Sequence, residues 1–261
     1  MPIINPPDAK TCSAFINQHK EEIIKGVYDI QTSPQWIDML TSEELLLLFK
    51  YCPSSKIVLA GSKKVPPNGL ASLAKDNDVS VLQQVAMNPN VPDDCLIALS
   101  KSPDDGVRKM VARNPKTPPN ILEILSYDSN SKVREEVAEN PNTPERIMEA
   151  LAKDPDFGIA YSLLHNPKAS GKVLEALIKY HTDLRQSIWR ERQDMETPEY
   201  IIEMLAKDTD WQVRKIVAAV PKTPERILDM LAKDSNETVR DRAKKNPNYK
   251  GIMSRIRKIL S

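Results

Sequence analysis

The sequence predicts an all-α fold: a solenoid that repeats one two-helix unit of about 26 residues. Three observations lead to this prediction: a fixed spacing of helix starts, a second apolar pair later in each unit, and a proline turn that closes the unit. A period of this size is typical of repeat proteins, whose units bury their apolar side chains against neighbouring units. The first-turn position falls at Pro66, Pro92, Pro118, Pro144, Ser170, Pro198, Pro224 and Lys250, in steps of 26, 26, 26, 26, 28, 26 and 26 residues.

The segment 221–247 shows how one unit forms two helices. Thr223 and Pro224 are typical of a helix start, with threonine at the N-cap and proline at the first helical position. The Asp-Ser-Asn turn at 234–236 ends this helix and caps the next one. Asn246 ends the second helix, because it precedes a proline and therefore avoids the α region.

The ends of the chain and one internal segment depart from this template. We expect one continuous domain in which terminal caps cover the faces that end units would otherwise expose. A first helix is predicted over 8–27, and Ser42 is predicted to cap the second helix of a divergent first unit. The predicted parts are an N-terminal helical cap at 1–33, a repeat array at 34–240 that is irregular at 154–197, and a basic C-terminal capping helix at 241–261.

The irregular segment 154–197 loses several template features at once. Ala160 stands where most other units have arginine, and Ser170 stands where they have proline. Three extra residues fall within 189–195. Because consensus positions in a repeat protein are committed to packing, an interaction surface is expected where the consensus is abandoned.

The composition excludes several classes of protein. Hydrophobic residues make up 40% and charged residues 28%, and the net charge is +1, so no overall field attracts nucleic acid or membranes. The apolar runs are too short to span a bilayer, and the N-terminus lacks a signal-peptide pattern, so a cytoplasmic location is expected. Cys12, Cys52 and Cys95 fit no metal or redox spacing, and we expect neither a metal nor a cofactor.

The repeated consensus resembles the leucine-rich repeat variant (LRV) family and, more distantly, HEAT repeats. The resemblance covers roughly residues 66–250 and is clearest in Ala-Lys-Asp at 206–208, Val-Arg at 213–214 and Lys-Thr-Pro at 222–224. It implies a right-handed superhelix of short paired helices with second helices of partly 3₁₀ geometry, and the family name implies no enzymatic activity. Some members carry a cysteine-ligated iron–sulfur cluster near the N-terminus. This chain has three distant cysteines where four are needed, so the cluster is not expected.

A recurring arginine allows two interpretations. A row of guanidinium groups could bind phosphate or an acidic peptide. Alternatively, each arginine could bind the turn aspartate of its own or an adjacent unit, such as Asp128 or Asp234, and fix the register of the stack. The structural interpretation is favoured for this set, which comprises Arg108, Arg134, Arg185, Arg214 and Arg240.

The candidate partner-binding residues lie in or near the irregular segment. Trp189 is the strongest single candidate, because tryptophan and arginine dominate interface energetics. The alternative is that Trp189 packs inside a widened unit and the insertion is merely tolerated; the two interpretations carry similar weight. The candidate set is Tyr161, His165, Trp189, Arg190, Arg192 and Trp211.

Nucleic-acid binding is the main alternative function. If the second helices line the concave face, as in HEAT repeats, that face is acidic near the middle and basic at its end, whereas duplex binding needs a continuous basic stripe. Trp189, Asp194, Asp210 and Trp211 could form a site like that of solenoid DNA glycosylases, by analogy of fold alone. The basic residues available to nucleic acid are Arg242, Lys244, Lys245, Arg255, Arg257 and Lys258.

The sequence therefore predicts a monomeric, non-catalytic scaffold for protein–protein interaction. It contains no phosphate-binding glycine loop, metal-binding histidine motif or nucleophile elbow, so no catalytic residue is assigned. The partner is expected on the concave face, centred on the irregular segment.

Overall fold

The chain is an all-helical repeat protein, as the sequence predicts. A computed structural model describes residues 3–4, 9–24, 29–30, 40–195 and 197–251. Within these ranges lie eighteen α-helices, two 3₁₀ turns and one pair of two-residue strands. Contacts divide the chain into two compact units, Met1–Asn142 and Thr143–Ser261, each of which contains several repeats. From here on, 'the first unit' and 'the second unit' mean these two parts of the chain, and any other 'unit' means one repeat.

The N-terminal part of the first unit combines two short helices with a minimal strand pair. The strand β1 (Ile3–Ile4) pairs in parallel with β2 (Asp29–Ile30). The helix predicted over 8–27 is instead two helices, α1 (Ala9–Gln18) and α2 (Lys20–Ile24), with residues 25–28 outside the described ranges. Their apolar faces pack on the next helix around the buried residues Cys12, Ile16, Ile23, Leu45 and Leu48.

The second helix of the divergent unit has a different cap from the predicted one. This helix, α3 (Ser42–Tyr51), has Thr41 rather than Ser42 as its N-cap, and Ser42 is its first helical residue. Thr41 and Glu44 form a reciprocal capping box, in which each side chain accepts from the other's backbone N–H. The start of the divergent unit, at Pro34, lies outside the described residues.

The rest of the first unit alternates first helices of seven residues with second helices of nine, after a shorter start. Each first helix buries three side chains, such as Ile121, Leu122 and Leu125. The helices are α4 (Lys56–Gly61), α5 (Pro67–Leu73), α6 (Val79–Met87), α7 (Asp93–Leu99), α8 (Asp105–Arg113), α9 (Pro119–Leu125) and α10 (Ser131–Glu139).

The second unit continues the alternation through the irregular segment. Its regular second helices bury apolar side chains, such as Val213, Val217 and Ala218. The helices are α11 (Glu145–Leu151), α12 (Phe157–His165), α13 (Gly171–Tyr180), α14 (Arg185–Arg192), α15 (Glu199–Ala206), α16 (Trp211–Ala219), α17 (Glu225–Leu231) and α18 (Glu237–Lys244).

Within each unit, helices of the same kind stack on one another. The second helices pack in the order α4, α6, α8 and α10 in the first unit, and α12, α14, α16 and α18 in the second. The first helices α11, α13, α15 and α17 pack in the same way. Side chains on the outer surface of consecutive second helices therefore share one face, which we call the second-helix face.

The repeating Thr-Pro pair does not cap the first helix in the predicted way. The N-cap is Pro224, with φ −57° and ψ 141°, and the helix begins at Glu225. Thr223 is fully buried, and its hydroxyl donates to the carbonyl of Val217, 2.6 Å away in the preceding helix. The predicted cap of the second helix is correct, because the side chain of Asn236 accepts from the backbone N–H of Thr238.

The 3₁₀ geometry implied by the family resemblance is confined to two places within the described ranges. The second helices of the regular units, such as α8 and α16, are α-helical. The 3₁₀ turns at Pro53–Ser55 and Thr182–Leu184 precede α4 and α14, which both belong to the stack of second helices. The predicted capping helix at 252–260 lies outside the described residues.

Candidate interaction surface

A row of buried asparagines joins successive units on the inside. The Asn246 side-chain amide donates to the carbonyls of Ala218 and Val220, both at 2.8 Å, which lie 28 and 26 residues earlier. The same bonds at the same spacing define what we call the asparagine ladder: Asn88, Asn114, Asn140 and Asn246. Sequence reasoning treated these residues only as helix terminators. Their recurrence at one template position was the signal that could have revealed the ladder.

A second row joins the units near the surface through arginine and aspartate. Arg214 holds Asp234 with two parallel bonds of 2.7 and 2.9 Å, and a third nitrogen donates to the carbonyls of Asp208 and Thr209. Hydrogen bonds from Arg214 hold the pKa of Asp234 below its usual value, despite partial burial. Arg108 binds Asp128 in the same bidentate way, also 20 residues further along the chain.

The other members of this arginine–aspartate ladder are more varied. The side chain of Arg185 donates to the carbonyl of Ile178 at 2.8 Å and lies 3.5 Å from Asp208. Arg134 and Arg240 donate to turn carbonyls of their own units. All five guanidinium groups thus contact acceptors within the stack, which favours the structural interpretation of the predicted arginine row.

The irregular unit replaces the ladder asparagine with Arg192. Arg192 lies 26 residues after Asn166, and its guanidinium donates to the carbonyls of Leu164 at 2.6 Å, Asn166 at 3.1 Å and Ala169 at 3.3 Å. Its side chain is 1% exposed, and burial lowers its pKa. Arg192 therefore cannot reach a partner and leaves the candidate set.

Trp189 is also inside the protein. Its side chain is 5% exposed, and its indole N–H donates to the Thr223 hydroxyl at 2.8 Å. The other members of the proposed glycosylase-like group lie in separate settings. Asp194 forms an ion pair with Lys222 at the surface, and Asp210 caps α16. Trp189 therefore packs in the widened unit and is removed from the partner-binding set.

Exposed aromatic side chains run along the outer surface of α12. Phe157 and Tyr161 are 53% and 46% exposed, and their ring centroids lie 6.2 Å apart. His165 follows one turn later, with its ring centroid 4.3 Å from that of Tyr161. We call Phe157, Tyr161 and His165 the aromatic row. The other nine-residue second helices carry different sets at these template positions: Val-Gln-Met at 79, 83 and 87, Asp-Lys-Arg at 105, 109 and 113, Ser-Glu-Glu at 131, 135 and 139, and Trp-Lys-Ala at 211, 215 and 219.

The aromatic row contacts the next second helix through charged groups. The imidazole Nε2 of His165 lies 3.0 Å from a carboxylate oxygen of Glu191, on α14. Arg190, on the same helix, lies 3.7 Å from the other oxygen of Glu191 and is well exposed. Three of the predicted candidates, Tyr161, His165 and Arg190, therefore meet where α12 packs on α14.

Trp211 occupies the same template position as Phe157, two units later. It is 38% exposed at the start of α16, and the Lys215 ammonium lies 5.2 Å from its ring centroid. The second-helix face of the second unit thus displays aromatic rings on two of its helices. In the first unit the corresponding face carries charge instead, since Glu136 of α10 lies within 4 Å of Lys109 and Arg113 of α8.

One position of the arginine–aspartate ladder is missing in the second unit. Ala160 replaces the arginine and Tyr180, 20 residues later, replaces the aspartate. A cleft of about 390 Å³ opens beside Tyr180. It is lined by Lys153, Asp154, Pro155, Phe157, Tyr180, His181, Thr182 and Asp183. We call it the open ladder cleft.

The basic end of the described chain carries mixed charge. A depression of about 380 Å³ between α16 and α18 is lined by Lys215, Arg242 and Lys245, but also by Glu237 and Asp241. Two carboxylates beside three cations weaken its attraction for a phosphate backbone. Arg255, Arg257 and Lys258 of the predicted basic set lie outside the described residues.

The cysteines show no feature of a metal site. Cys12, Cys52 and Cys95 are all buried, and burial, together with Glu44 and Cys52, raises the pKa of Cys12 to about 12. Within the described ranges, no cluster of three or more histidine, cysteine, aspartate or glutamate side chains could hold a metal ion. None of the described helices is both long and apolar enough to cross a membrane.

The stacked helix pairs place this chain in the class of helical repeat proteins. Residues 132–156 match the family described as "Leucine rich repeat variant", which confirms the resemblance predicted from the consensus. The chain therefore carries a leucine-rich repeat variant unit. A search of curated proteins finds no match.

Several solved structures are similar to this chain at low identity. A structure described as a leucine-rich repeat variant with a novel repetitive motif is 18% identical, with a TM-score of 0.43, and the alignment covers 92% of this chain and 87% of that one. An engineered protein is 15% identical, with a TM-score of 0.37 and coverage of 91% and 80%. Another engineered protein is also 15% identical, with a TM-score of 0.26 and coverage of 81% and 93%.

Proposed function

We propose that this protein is a non-catalytic scaffold that binds another protein through the second-helix face of its second unit. The aromatic row on α12 is the observation that carries this proposal. The template places charged or polar side chains at most equivalent positions, so three adjacent aromatic rings at the surface are not required by the repeat. We expect this face to be the concave side of the solenoid.

The aromatic row has the properties of an interface centre. Tyrosine combines a large apolar ring with a polar hydroxyl and has only two side-chain torsions to order, so it is enriched among residues that dominate binding energy. Exposed Arg190, which shares Glu191 with His165, supplies a second residue type common in such centres. Trp211 extends the surface towards α16.

A site-specific cross-linking experiment tests this proposal. A photoreactive phenylalanine analogue is placed at Tyr161 and, as a matched control, at Tyr127, which is 78% exposed on the first unit. We expect a discrete adduct with one protein from position 161 and none from position 127. Equal labelling at both positions, or no adduct at 161, would contradict the proposal.

The identified partner then permits a quantitative measurement. Tyr161→Ala should weaken its binding by about thirtyfold or more, because loss of an interface hot spot costs at least about 2 kcal/mol. Tyr127→Ala should leave the affinity unchanged. Circular dichroism of both variants shows whether helicity is preserved.

Nucleic-acid binding remains the alternative that the same protein can test. A gel-shift titration of duplex and single-stranded DNA at low salt should show no complex, because the depression at Arg242 and Lys245 also contains two carboxylates. A complex that weakens steeply with salt, and is lost in Arg242→Glu with Lys245→Glu, would replace the protein-scaffold proposal.

A further inference from the structure

The open ladder cleft lies where the arginine–aspartate ladder is interrupted. At two other positions the ladder arginine reaches the aspartate 20 residues later, as Arg108 reaches Asp128 and Arg214 reaches Asp234. Neither member of such a pair is present here, since Ala160 and Tyr180 stand at the two positions, and Ala160 is fully buried and does not line the cleft. The cleft is lined by Asp154, Pro155 and Tyr180, which occupy the template positions of the three residues that the Arg214 guanidinium contacts.

The first unit shows a different response to the same loss. There Leu82 and Ser102 stand at the arginine and aspartate positions. A leucine side chain is larger than the methyl group of Ala160. The small residue at 160 is therefore a second departure from the template, separate from the loss of the pair.

The walls of the cleft suit a planar cation. Phe157 and Tyr180 are about half exposed, and their rings offer faces on which a guanidinium can stack. The ammonium of Lys179 already lies 5.3 Å from the Tyr180 ring centroid, so one cation of this chain uses that ring. Asp183 adds an exposed carboxylate at the rim.

Two residues that line the cleft have counterparts that offer backbone acceptors to arginine in other units. Arg214 donates to the carbonyls six and five residues before it, those of Asp208 and Thr209, at 2.8 and 3.1 Å. The carbonyls at the same offsets from Ala160 belong to Asp154 and Pro155, which line the cleft. A guanidinium that enters the cleft can therefore meet the same kind of acceptor.

We propose that the open ladder cleft binds an arginine side chain of the protein partner, which supplies in trans the guanidinium that Ala160 does not supply in cis. This inference rests on the proposed function, since it names the chemistry of the residue by which the partner is recognised. Arginine suits the cleft better than lysine because its planar group both stacks on rings and donates in several directions. Carbonyl and carboxylate oxygens disfavour an anion in the same place.

Short peptides test the chemistry of the cleft without the partner. The full chain is titrated with Ac-Gly-Arg-Gly-NH₂ and with its neutral citrulline counterpart, and the aromatic NMR signals of Tyr180 and His181 are followed. The arginine peptide should cause saturable shifts at about tenfold lower concentration than the citrulline peptide. Equal affinities, or no saturable shift with the arginine peptide, would overturn the inference.

Three variants test the geometry of the cleft. Ala160→Arg should abolish peptide binding, because the introduced guanidinium occupies the cleft. Tyr180→Leu should weaken binding about tenfold, whereas Tyr180→Phe keeps the ring and should bind normally. Since Tyr180 is half exposed, its variants remain informative even if the Ala160→Arg substitution disturbs folding. Equal peptide binding by the Tyr180→Leu variant and the parent chain would overturn the inference.

Partner binding separates this inference from the proposed function. If Ala160→Arg leaves partner affinity unchanged while Tyr161→Ala weakens it, the arginine site is wrong and the scaffold proposal stands. If neither substitution changes partner affinity, the proposed surface itself is wrong. Loss of partner binding in both variants, together with the peptide preference, supports both.

Discussion

The contact between α16 and α18 and the contact between α12 and α14 join neighbouring units by different means. In the regular contact, Asn246 binds two buried backbone carbonyls and Arg214 holds Asp234 near the surface. In the irregular contact, Arg192 takes over the buried bonds, whereas the surface pair is absent at Ala160. The hydrogen bonds to buried carbonyls are retained although arginine replaces asparagine, whereas the arginine–aspartate pair near the surface is lost. This difference indicates that the surface positions were available for another role.

The reason lies in what it costs in free energy to lose each kind of hydrogen bond. A buried carbonyl left without a donor costs about 1–3 kcal/mol, so the inner position must be filled by some donor. At Ala160 and Tyr180 both members of the arginine–aspartate pair are replaced, so neither leaves an unsatisfied partner behind and the loss can be tolerated. The following predictions test this comparison from the largest expected effect to the smallest.

Trp189→Ala should have the largest effect on stability. Removing a buried indole should lower the free energy of unfolding by about 3–5 kcal/mol, since it leaves a cavity and removes the donor to Thr223. Trp211→Ala, on the exposed face, is the matched control and should cost less than about 1 kcal/mol. Chemical denaturation measures both, and equal losses would place Trp189 at the surface.

Arg192→Leu should be nearly as damaging. It removes donors from three buried carbonyls, but it also removes the cost of burying a charge. The net loss in unfolding free energy should be about 2–4 kcal/mol. Arg192→Lys retains the charge but lacks the planar fork, so an intermediate loss is expected. Asn114→Leu, which strips donors from two carbonyls in the first unit, is the regular counterpart. If the Arg192→Leu variant were as stable as the parent chain, the buried bonds would not need to be retained.

The surface pair should have a smaller and pH-dependent effect. A double-mutant cycle on Arg214 and Asp234 should give a coupling of about 1–2 kcal/mol at neutral pH, because the pair is bidentate and largely buried. Since the folded pKa of Asp234 is lowered, chiefly by the Arg214 hydrogen bond, its contribution is present above the unfolded value near 3.8 and is lost as pH falls through the folded pKa.

Denaturation at about pH 7 and at a pH below the unfolded value of 3.8 measures this loss, because the contribution falls as the pH drops from that value towards the folded pKa. Asp234→Asn should reduce the difference in stability between the two pH values, compared with the parent chain. An unchanged difference would show that Asp234 does not contribute to the acid sensitivity.

Tyr161→Ala should have the smallest effect on folding. Its half-exposed ring lies outside the core, so the unfolding free energy should change by about 0.5 kcal/mol or less. Loss of partner binding in this variant would then be a direct effect on the interface. A loss above about 2 kcal/mol in thermal or chemical unfolding would instead assign the aromatic row to packing.

The sequence predicted the regular parts of the fold because local signals and the repeat agree there. The cap at Asn236 and the apolar pairs of each unit follow from spacing alone. Thr223 was misjudged because a Thr-Pro pair is compatible with both a cap and a bond back to the preceding helix, and only the packed structure distinguishes them. The break between α1 and α2 has no comparable signal in the sequence.

The site was predicted less well because residue type was given more weight than position in the repeat. Trp189 follows Leu184 by five residues, as buried Ala218 follows Val213, and is buried like it. Arg192 lies 26 residues after Asn166, at the inward position of the asparagine ladder. Tyr161 and His165 were identified correctly as surface residues of the irregular segment. The open ladder cleft could have been found from the sequence, because Ala160 and Tyr180 keep the 20-residue separation of the pairs that they replace.

The asparagine ladder also has a consequence for the chemical ageing of the protein. Asparagine normally deamidates when the backbone nitrogen of the following residue attacks its side chain, and proline has no N–H with which to do so. Every asparagine of the ladder precedes a proline. Deamidation would replace the donating amide with a carboxylate that faces two carbonyl oxygens. The Asn-Pro dipeptide blocks this route at each asparagine of the ladder. The proline that ends each second helix thus also protects the amide in front of it over the lifetime of the molecule.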